Sequence, residues 1–206
     1  MTFGFKKSKL DGTEKIYGGE LSALLPSEYS YKNFLPKAVN QGSNPICVPC
    51  SLSTYVNWKM NLADGVKTDN KMDYFSVYNS KTTDGDGMSF KEALDYVANS
   101  GVKTGKGIFK IKDYALVKNI AALRKAVVSN GPCVGALPVY DTGKESFWKS
   151  GTGCRDILGY HAISIVGYNK KGFILRNSWG SSYGEKGYSI LPYDEFSQFI
   201  EIWTII

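Results

Sequence analysis

The run His161-Ala162-Ile163-Ser164-Ile165-Val166-Gly167-Tyr168 mixes β-branched and small side chains with no helical apolar period. Asn169-Lys170-Lys171-Gly172 then supplies turn formers before Phe173-Ile174-Leu175-Arg176-Asn177, so the stretch reads as a β-hairpin. Folding back at that turn brings His161 and Asn177 to the same end of the two strands. His161 is the only histidine in the chain, so any imidazole chemistry must use this ring, although a lone histidine is by default a packing residue. An asparagine amide beside it can hold one ring nitrogen and leave the other free as a base.

A nucleophile for such a base lies far upstream. Turn formers from Gly42 to Pro45 end just before Cys47, and residues 51–62 carry apolar side chains at Leu52, Tyr55, Val56 and Met60, a helical stripe. Cys47 therefore opens a helix, where unpaired N–H groups and the helix dipole favour a thiolate and a nearby imidazolium would lower the thiol pKa further. Pro49 is tolerated so near the helix start. Each residue also has an inert reading: Gln41 as a loop polar residue, Asn177 closing a turn, Trp179 in the core. What weighs between the readings is their joint occurrence around the only histidine, not any one of them.

Gln41-Gly42-Ser43 followed by Cys47, then Tyr160-His161-Ala162, then Asn177-Ser178-Trp179-Gly180 resembles the papain-like cysteine proteases. The likeness extends to Leu25-Pro26-Ser27, to Asp86-Gly87-Met88-Ser89-Phe90 and to Tyr183-Gly184-Glu185-Lys186-Gly187-Tyr188, and runs from Leu25 to the C-terminus. It is more similar in style to short bacterial and viral members than to lysosomal or plant ones.

The resemblance implies that Cys47 attacks the scissile carbonyl, His161 shuttles the proton and Asn177 orients the ring. Gln41 would be the oxyanion-hole donor, acting with the backbone N–H of Cys47. Trp179 would shield the Asn–His bond, Gly87 would pair its backbone with an extended substrate, and Asp86, Ser89 and Tyr160 would line the cleft. It further implies an α+β, papain-like two-lobed fold. An α-rich lobe carrying the Cys helix would face a β-rich, barrel-like lobe carrying His and Asn across the active-site cleft. The resulting function is a cysteine endopeptidase with a peptide or protein substrate. The chain departs from the family pattern at Val48, where a tryptophan is common, at Cys50 and Tyr183, where aromatics and tryptophan are usual, and at Tyr160, where many relatives have Asp or Asn. It also lacks the cysteine that precedes the nucleophile.

Two other function classes compete. Cys47-Val48-Pro49-Cys50 is a C-x-P-C at a helix start, as in thiol–disulfide oxidoreductases, but residues 40–46 are turn-rich and supply no strand for a βαβ unit. A catalytically idle scaffold would leave all four chemical positions filled for no reason. The net charge of +6 comes from scattered lysines, with no basic stripe interleaved with aromatics, so nucleic acid is not an expected partner. One histidine and no second C-x-x-C give no zinc spacing, and neither metal nor cofactor is expected.

The chain is long enough for one catalytic domain, residues 25–206, with an α-rich lobe near 41–105 and a β-rich lobe of 106–206 plus 25–40. Ser89-Phe90-Lys91-Glu92 is a capping box before a helix that stops at Gly101. Residues 118–129 read as a helix ending at Gly131, and strands are expected at 134–139, 162–168, 173–176 and 188–191. Cys133 belongs to a buried strand and Cys154 to a Gly-rich loop, both as free thiols in a reducing compartment. Residues 1–24 form an N-terminal extension with no signal peptide, and no apolar run is long enough to span a membrane. The expected location is cytoplasmic or virion-associated, and the default state monomeric. No propeptide of family length is expected. Between a short cleft-covering arm and an ordinary surface extension over residues 5–19, the sequence favours the extension.

Overall fold

The structure, a computed structural model, describes residues 3–18, 24–82, 84–142, 145–150 and 156–206. After a two-residue strand β1 (Tyr29–Ser30) come helices α1 (Cys47–Asp64), α2 (Tyr74–Asn79) and α3 (Phe90–Asn99). A small hairpin, β2 (Val102–Thr104) and β3 (Gly107–Phe109), precedes β4 (Tyr114–Leu116) and helix α4 (Ile120–Asn130). Strands β5 (Cys133–Val139), β6 (Gly159–Asn169), β7 (Gly172–Arg176), β8 (Tyr188–Pro192) and β9 (Glu201–Ile205) complete the chain.

The expected hairpin is the centre of the larger sheet. β6 pairs with β7 antiparallel from Asn169↔Gly172 back to Ser164↔Arg176, with a register shift between Ile165 and Gly167. That sheet runs β4-β9-β5-β6-β7-β8, and β1 also pairs with β6. β5 and β7 are buried along their whole length, so they read as continuous apolar runs instead of alternating ones. Cys133 is fully buried in β5, as expected, whereas Cys154 lies outside the described residues.

Helix α1 begins at Cys47, four residues before the predicted stripe, and ends at Gly65, which takes the left-handed conformation (φ 65°). It is not a one-faced helix: every residue from Cys47 to Trp58 is buried, because α2 and α3 pack on it from one side and β6 from the other. The seam to the sheet is polar. Ser164 Oγ donates to Ser51 O at 3.0 Å and lies 2.8 Å from Thr54 Oγ1, which also accepts from Arg176 Nη1 at 2.9 Å. These bonds satisfy the polar groups buried where helix meets sheet.

The capping box on α3 forms as predicted, with Ser89 and Glu92 exchanging both bonds. α4 starts at Asn119, whose side chain accepts from Ala122 N, and packs on β5, β6 and β9. The two-lobed α+β architecture therefore holds: α1, α2 and α3 on one side, the large sheet with α4 on the other. A boundary at 105/106 would cut the β2–β3 hairpin, in which Thr104 faces Gly107.

The N-terminal segment departs from the favoured expectation. Residues 3–8 do not spread over the surface; they lie in the groove between Cys47 and Met88. Lys6 N donates to Met88 O at 3.0 Å and Met88 N to Gly4 O at 2.8 Å, and Phe5 bridges Met88 in a parallel sense. Phe5 is only 5% exposed, with its ring 5.2 Å from that of Phe90. Further along, Leu10 and Ile16 are exposed, and Tyr17 N bonds to Leu116 O at the edge of β4.

Candidate active site

Cys47 is the first residue of α1, and the N-cap residue Ile46 offers no side-chain bond. The backbone N–H groups of Cys47 and Val48 favour the Cys47 thiolate, the helix-start effect expected from sequence. Two amides from elsewhere join them, those of Ala162 and Gly4. Ala162 follows His161 in β6, so the sheet brings the histidine strand directly to the helix that carries the thiol.

His161 and Asn177 meet as the hairpin predicts. Ring atom Nε2 lies 2.7 Å from Asn177 Oδ1, while Nδ1 is buried without a hydrogen-bond partner among the described residues. Trp179 stacks on the imidazole, 4.5 Å between centroids and 26° between planes. Phe147 closes the cage edge-on to the imidazole at 5.6 Å and packs 4.9 Å from Trp179. Sequence reasoning missed Phe147, which lies in a loop with no periodicity to mark it.

Gln41 is buried beside this group. Its Oε1 accepts from Ser178 Oγ at 2.5 Å, its backbone N–H donates to Ser178 O at 2.9 Å, and its Nε2 donates one hydrogen to Asn44 O at 2.9 Å. The amide is thus fixed by both neighbouring loops, with its second hydrogen still available.

Burial disfavours charge on both members of the pair. Complete burial pushes the Cys47 thiol up to about 11, outweighing the four backbone amides that favour the thiolate. Burial likewise takes His161 down to about 4, against the Asn177 bond that would raise it. The sequence led us to expect a thiolate; in this buried setting desolvation opposes it. Cys50 is buried one turn along α1, and its thiol is also raised, chiefly by burial. Cys47, Cys50 and Cys133 are all free, and no strand leads into α1 from the turn-rich residues before it, so the C-x-P-C lacks the setting of a redox motif.

The groove residues divide. Gly87 is buried at φ 99°, and a Cβ there would lie 3.0 Å from Gly4 O; its N–H donates to Tyr78 Oη at 3.1 Å. The strand seated in the groove pairs with Met88, one residue beyond Gly87. Ser89 is committed to capping α3, Asp86 is exposed, and Tyr160 is 37% exposed beside His161. On the far side, Phe3, Trp179, Phe147, Leu158, Val139 and Tyr183 line an aromatic pocket. Among the described residues no group of three or more His, Cys, Asp or Glu is placed to hold a metal, and no helix is long and apolar enough to cross a membrane.

A helix-borne cysteine set against a histidine–asparagine pair on an antiparallel sheet defines a two-lobed α+β thiol-protease scaffold. Residues 45–199 match the papain family cysteine protease domain, and the chain belongs to that family. It is similar to a gut-specific cysteine proteinase of Caenorhabditis elegans, 34% identical over 89 residues, 39% of this chain and 26% of that protein. An uncharacterised peptidase C1-like protein of Acanthamoeba polyphaga mimivirus is 26% identical over 179 residues, 75% of this chain and 57% of that one. The chain thus spans well under two thirds of the length of these curated relatives. Xylellain, a cysteine protease from Xylella fastidiosa, shares the fold at a TM-score of 0.83 with 21% identity, covering 98% of this chain and 95% of that one.

Proposed function

We propose that this chain is a cysteine endopeptidase in which Cys47 is the nucleophile, His161 the general acid and base, Asn177 the group that orients the ring and Gln41 an oxyanion donor. The observation that carries the reading is the state of the His161 ring. Nε2 is held by Asn177, Nδ1 is unpartnered among the described residues, and the next residue's amide favours the Cys47 thiolate.

In the proposed cycle His161 Nδ1 takes the thiol proton as the sulfur bonds to the scissile carbonyl carbon, and the carbonyl π pair moves onto oxygen. The Cys47 N–H and the second Gln41 amide hydrogen receive that oxyanion; one such donor is worth about 3–4 kcal/mol of barrier. Collapse breaks the C–N bond, and the departing amine takes the proton from His161. Water, deprotonated by His161, then attacks the thioester carbon, and the C–S bond breaks to restore the thiol. Trp179 and Phe147 keep solvent from the His161–Asn177 bond.

Endopeptidase action is supported by the groove itself, through which residues 3–6 pass on both sides of Cys47 instead of ending there. A substrate would add as a strand at residues 87–88, with Asp86 and Tyr160 at its flanks. A cytoplasmic or virion location belongs to the same proposal, the second supported by the likeness to the mimivirus protein.

The test is hydrolysis of reduced casein by the chain and by Gly4→Val, a change that sets a side chain against the Pro45 backbone, 2.1 Å from its oxygen, and so frees the groove. Activity that disappears with Cys47→Ala and with His161→Ala but survives Cys50→Ser is the expected result. Activity that depends on Cys50 would replace this reading with redox chemistry.

A further inference from the structure

We infer that Arg176 is a positioning residue for the proposed protease chemistry, its buried guanidinium fixing the distances between the helix that carries Cys47, the hairpin that carries His161 and Asn177, and the loop that carries Gln41. The inference deepens the proposed function and rests on it for the roles of those four residues.

Arg176 closes β7 immediately before Asn177 and pairs in the ladder with Ser164 of β6, the strand of His161. The residue is only 4% exposed. Nη1 donates to Thr54 Oγ1 at 2.9 Å, while Nη2 donates to Pro36 O at 3.0 Å and to Lys37 O at 2.9 Å. Thr54 lies about two turns along α1 from Cys47. Residues 36–37 lead into the segment that crosses the other end of the site: Val39 O accepts from Gly180 N at 2.9 Å, Asn40 bridges Trp179, and Gln41 N donates to Ser178 O. Ser164 Oγ, bonded to Ser51 O and Thr54 Oγ1, ties the histidine strand into the same junction. One planar group therefore holds helix and loop directly, and both hairpin strands through Ser164 and its own backbone. Ala162 and Asn177 line the same small space as Arg176 and Thr54, so the junction extends to Asn177 itself.

Stability alone does not account for such a residue. Burial acts chiefly against its charge, and among the described residues every ion pair is made by a lysine, so no carboxylate offsets the desolvation. An apolar side chain of similar length would fill the volume without that cost. What it would not do is hold acceptors on two separate elements in fixed directions, as the guanidinium fork does and an ammonium does not. Lysine is therefore the decisive replacement, because it keeps the charge and loses the span.

Arg176→Lys, Thr54→Val and their combination, each in the Gly4→Val chain, test this through kcat and KM for casein hydrolysis. Each single change should lower kcat about ten- to a hundredfold while KM stays within about twofold. The double change should cost little more than the larger single one, since both break the same bond. A second readout needs no turnover: the pH midpoint for iodoacetamide alkylation of Cys47, followed by peptide mapping. A correctly spaced His161 lowers that midpoint, so both variants should raise it by about half a unit or more relative to Gly4→Val alone, with Cys133 remaining slow as a reporter that β5 is intact. A merely structural brace would lower Tm and leave kcat and the midpoint in place; that result, or full kcat with lysine at 176, would overturn the inference. The two claims separate cleanly. Hydrolysis by Gly4→Val that neither variant changes keeps the protease and removes the positioning role, whereas no hydrolysis by Gly4→Val, with a midpoint that still rises in the variants, removes the protease and keeps the positioning of the Cys47–His161 pair. Should Arg176→Lys expose Cys133, Thr54→Val, which leaves the guanidinium in place, decides the matter.

Discussion

Asn177 matters at the scale of single residues because it satisfies one buried nitrogen of His161 and leaves the other open. Asn177→Ala leaves Nε2 buried and unpaired, which costs about 1–3 kcal/mol. Casein hydrolysis by Asn177→Ala in a Gly4→Val background should therefore fall roughly ten- to a hundredfold, mainly in kcat. Gln41→Ala should lose about 10²–10³ in kcat if its second amide hydrogen receives the oxyanion; an unchanged kcat would reassign Gln41 to a loop brace through Ser178 and Asn44. The state of Cys47 is a second residue-scale prediction. Burial raises the thiol to about 11 and lowers His161 to about 4, so both shifts favour the neutral pair between those values. Thiolate absorbance near pH 8 should be missing at Cys47 in the parent and gained in Gly4→Val, where hydration removes the desolvation that caused the shifts. Of the residues named from sequence, His161, Asn177 and Trp179 come together because one hairpin sets their positions. The hydroxyl of Ser89 is consumed by the capping box legible in the same four letters.

Caps and close approaches decide the elements. Ser89 and Glu92 close the first turn of α3, and Thr82 donates to Glu92 as well. Ser89→Ala should cost about 1 kcal/mol and lower Tm by about 2–4 °C for a chain of this size. Burial raises the Glu92 carboxyl, but the hydrogen bonds from Ser89 and Thr82 outweigh it and bring the pKa down to about 2. A depressed folded pKa means that the contribution is complete above the unfolded value of about 4.3 and disappears as pH falls toward 2. Acid unfolding of Glu92→Gln should therefore be less steep across that window than that of the parent. After α4, Gly131 takes φ 105° with the Trp58 ring 2.2 Å from where a Cβ would stand. Gly131→Ala should destabilise by about 1–3 kcal/mol through overpacking, read as a shift in the urea midpoint. The long strands and the helices α1, α3 and α4 were legible because turn residues and periodicity bound them. β4, of three residues, and β9, buried along its whole length, carry no alternation and were not.

For the whole molecule, what escaped the sequence is a contact between distant parts. The pairing of residues 4–6 with Met88 depends on the groove that α1 and α3 create only once folded, and two phenylalanines among lysines give no local signal of it. The same long-range assembly explains why Cys47 and His161 are both buried and both pushed toward their neutral forms. The strand that covers Cys47 also removes the water that an ion pair needs.

The most direct test of the central claim is covalent labelling of reduced Gly4→Val by the epoxide E-64, located by intact mass and peptide mapping, with the His161→Ala double variant as control. A single adduct at Cys47 that is lost with His161 is what a working cysteine–histidine pair requires. No adduct, or equal labelling of Cys47 and Cys50, would contradict it.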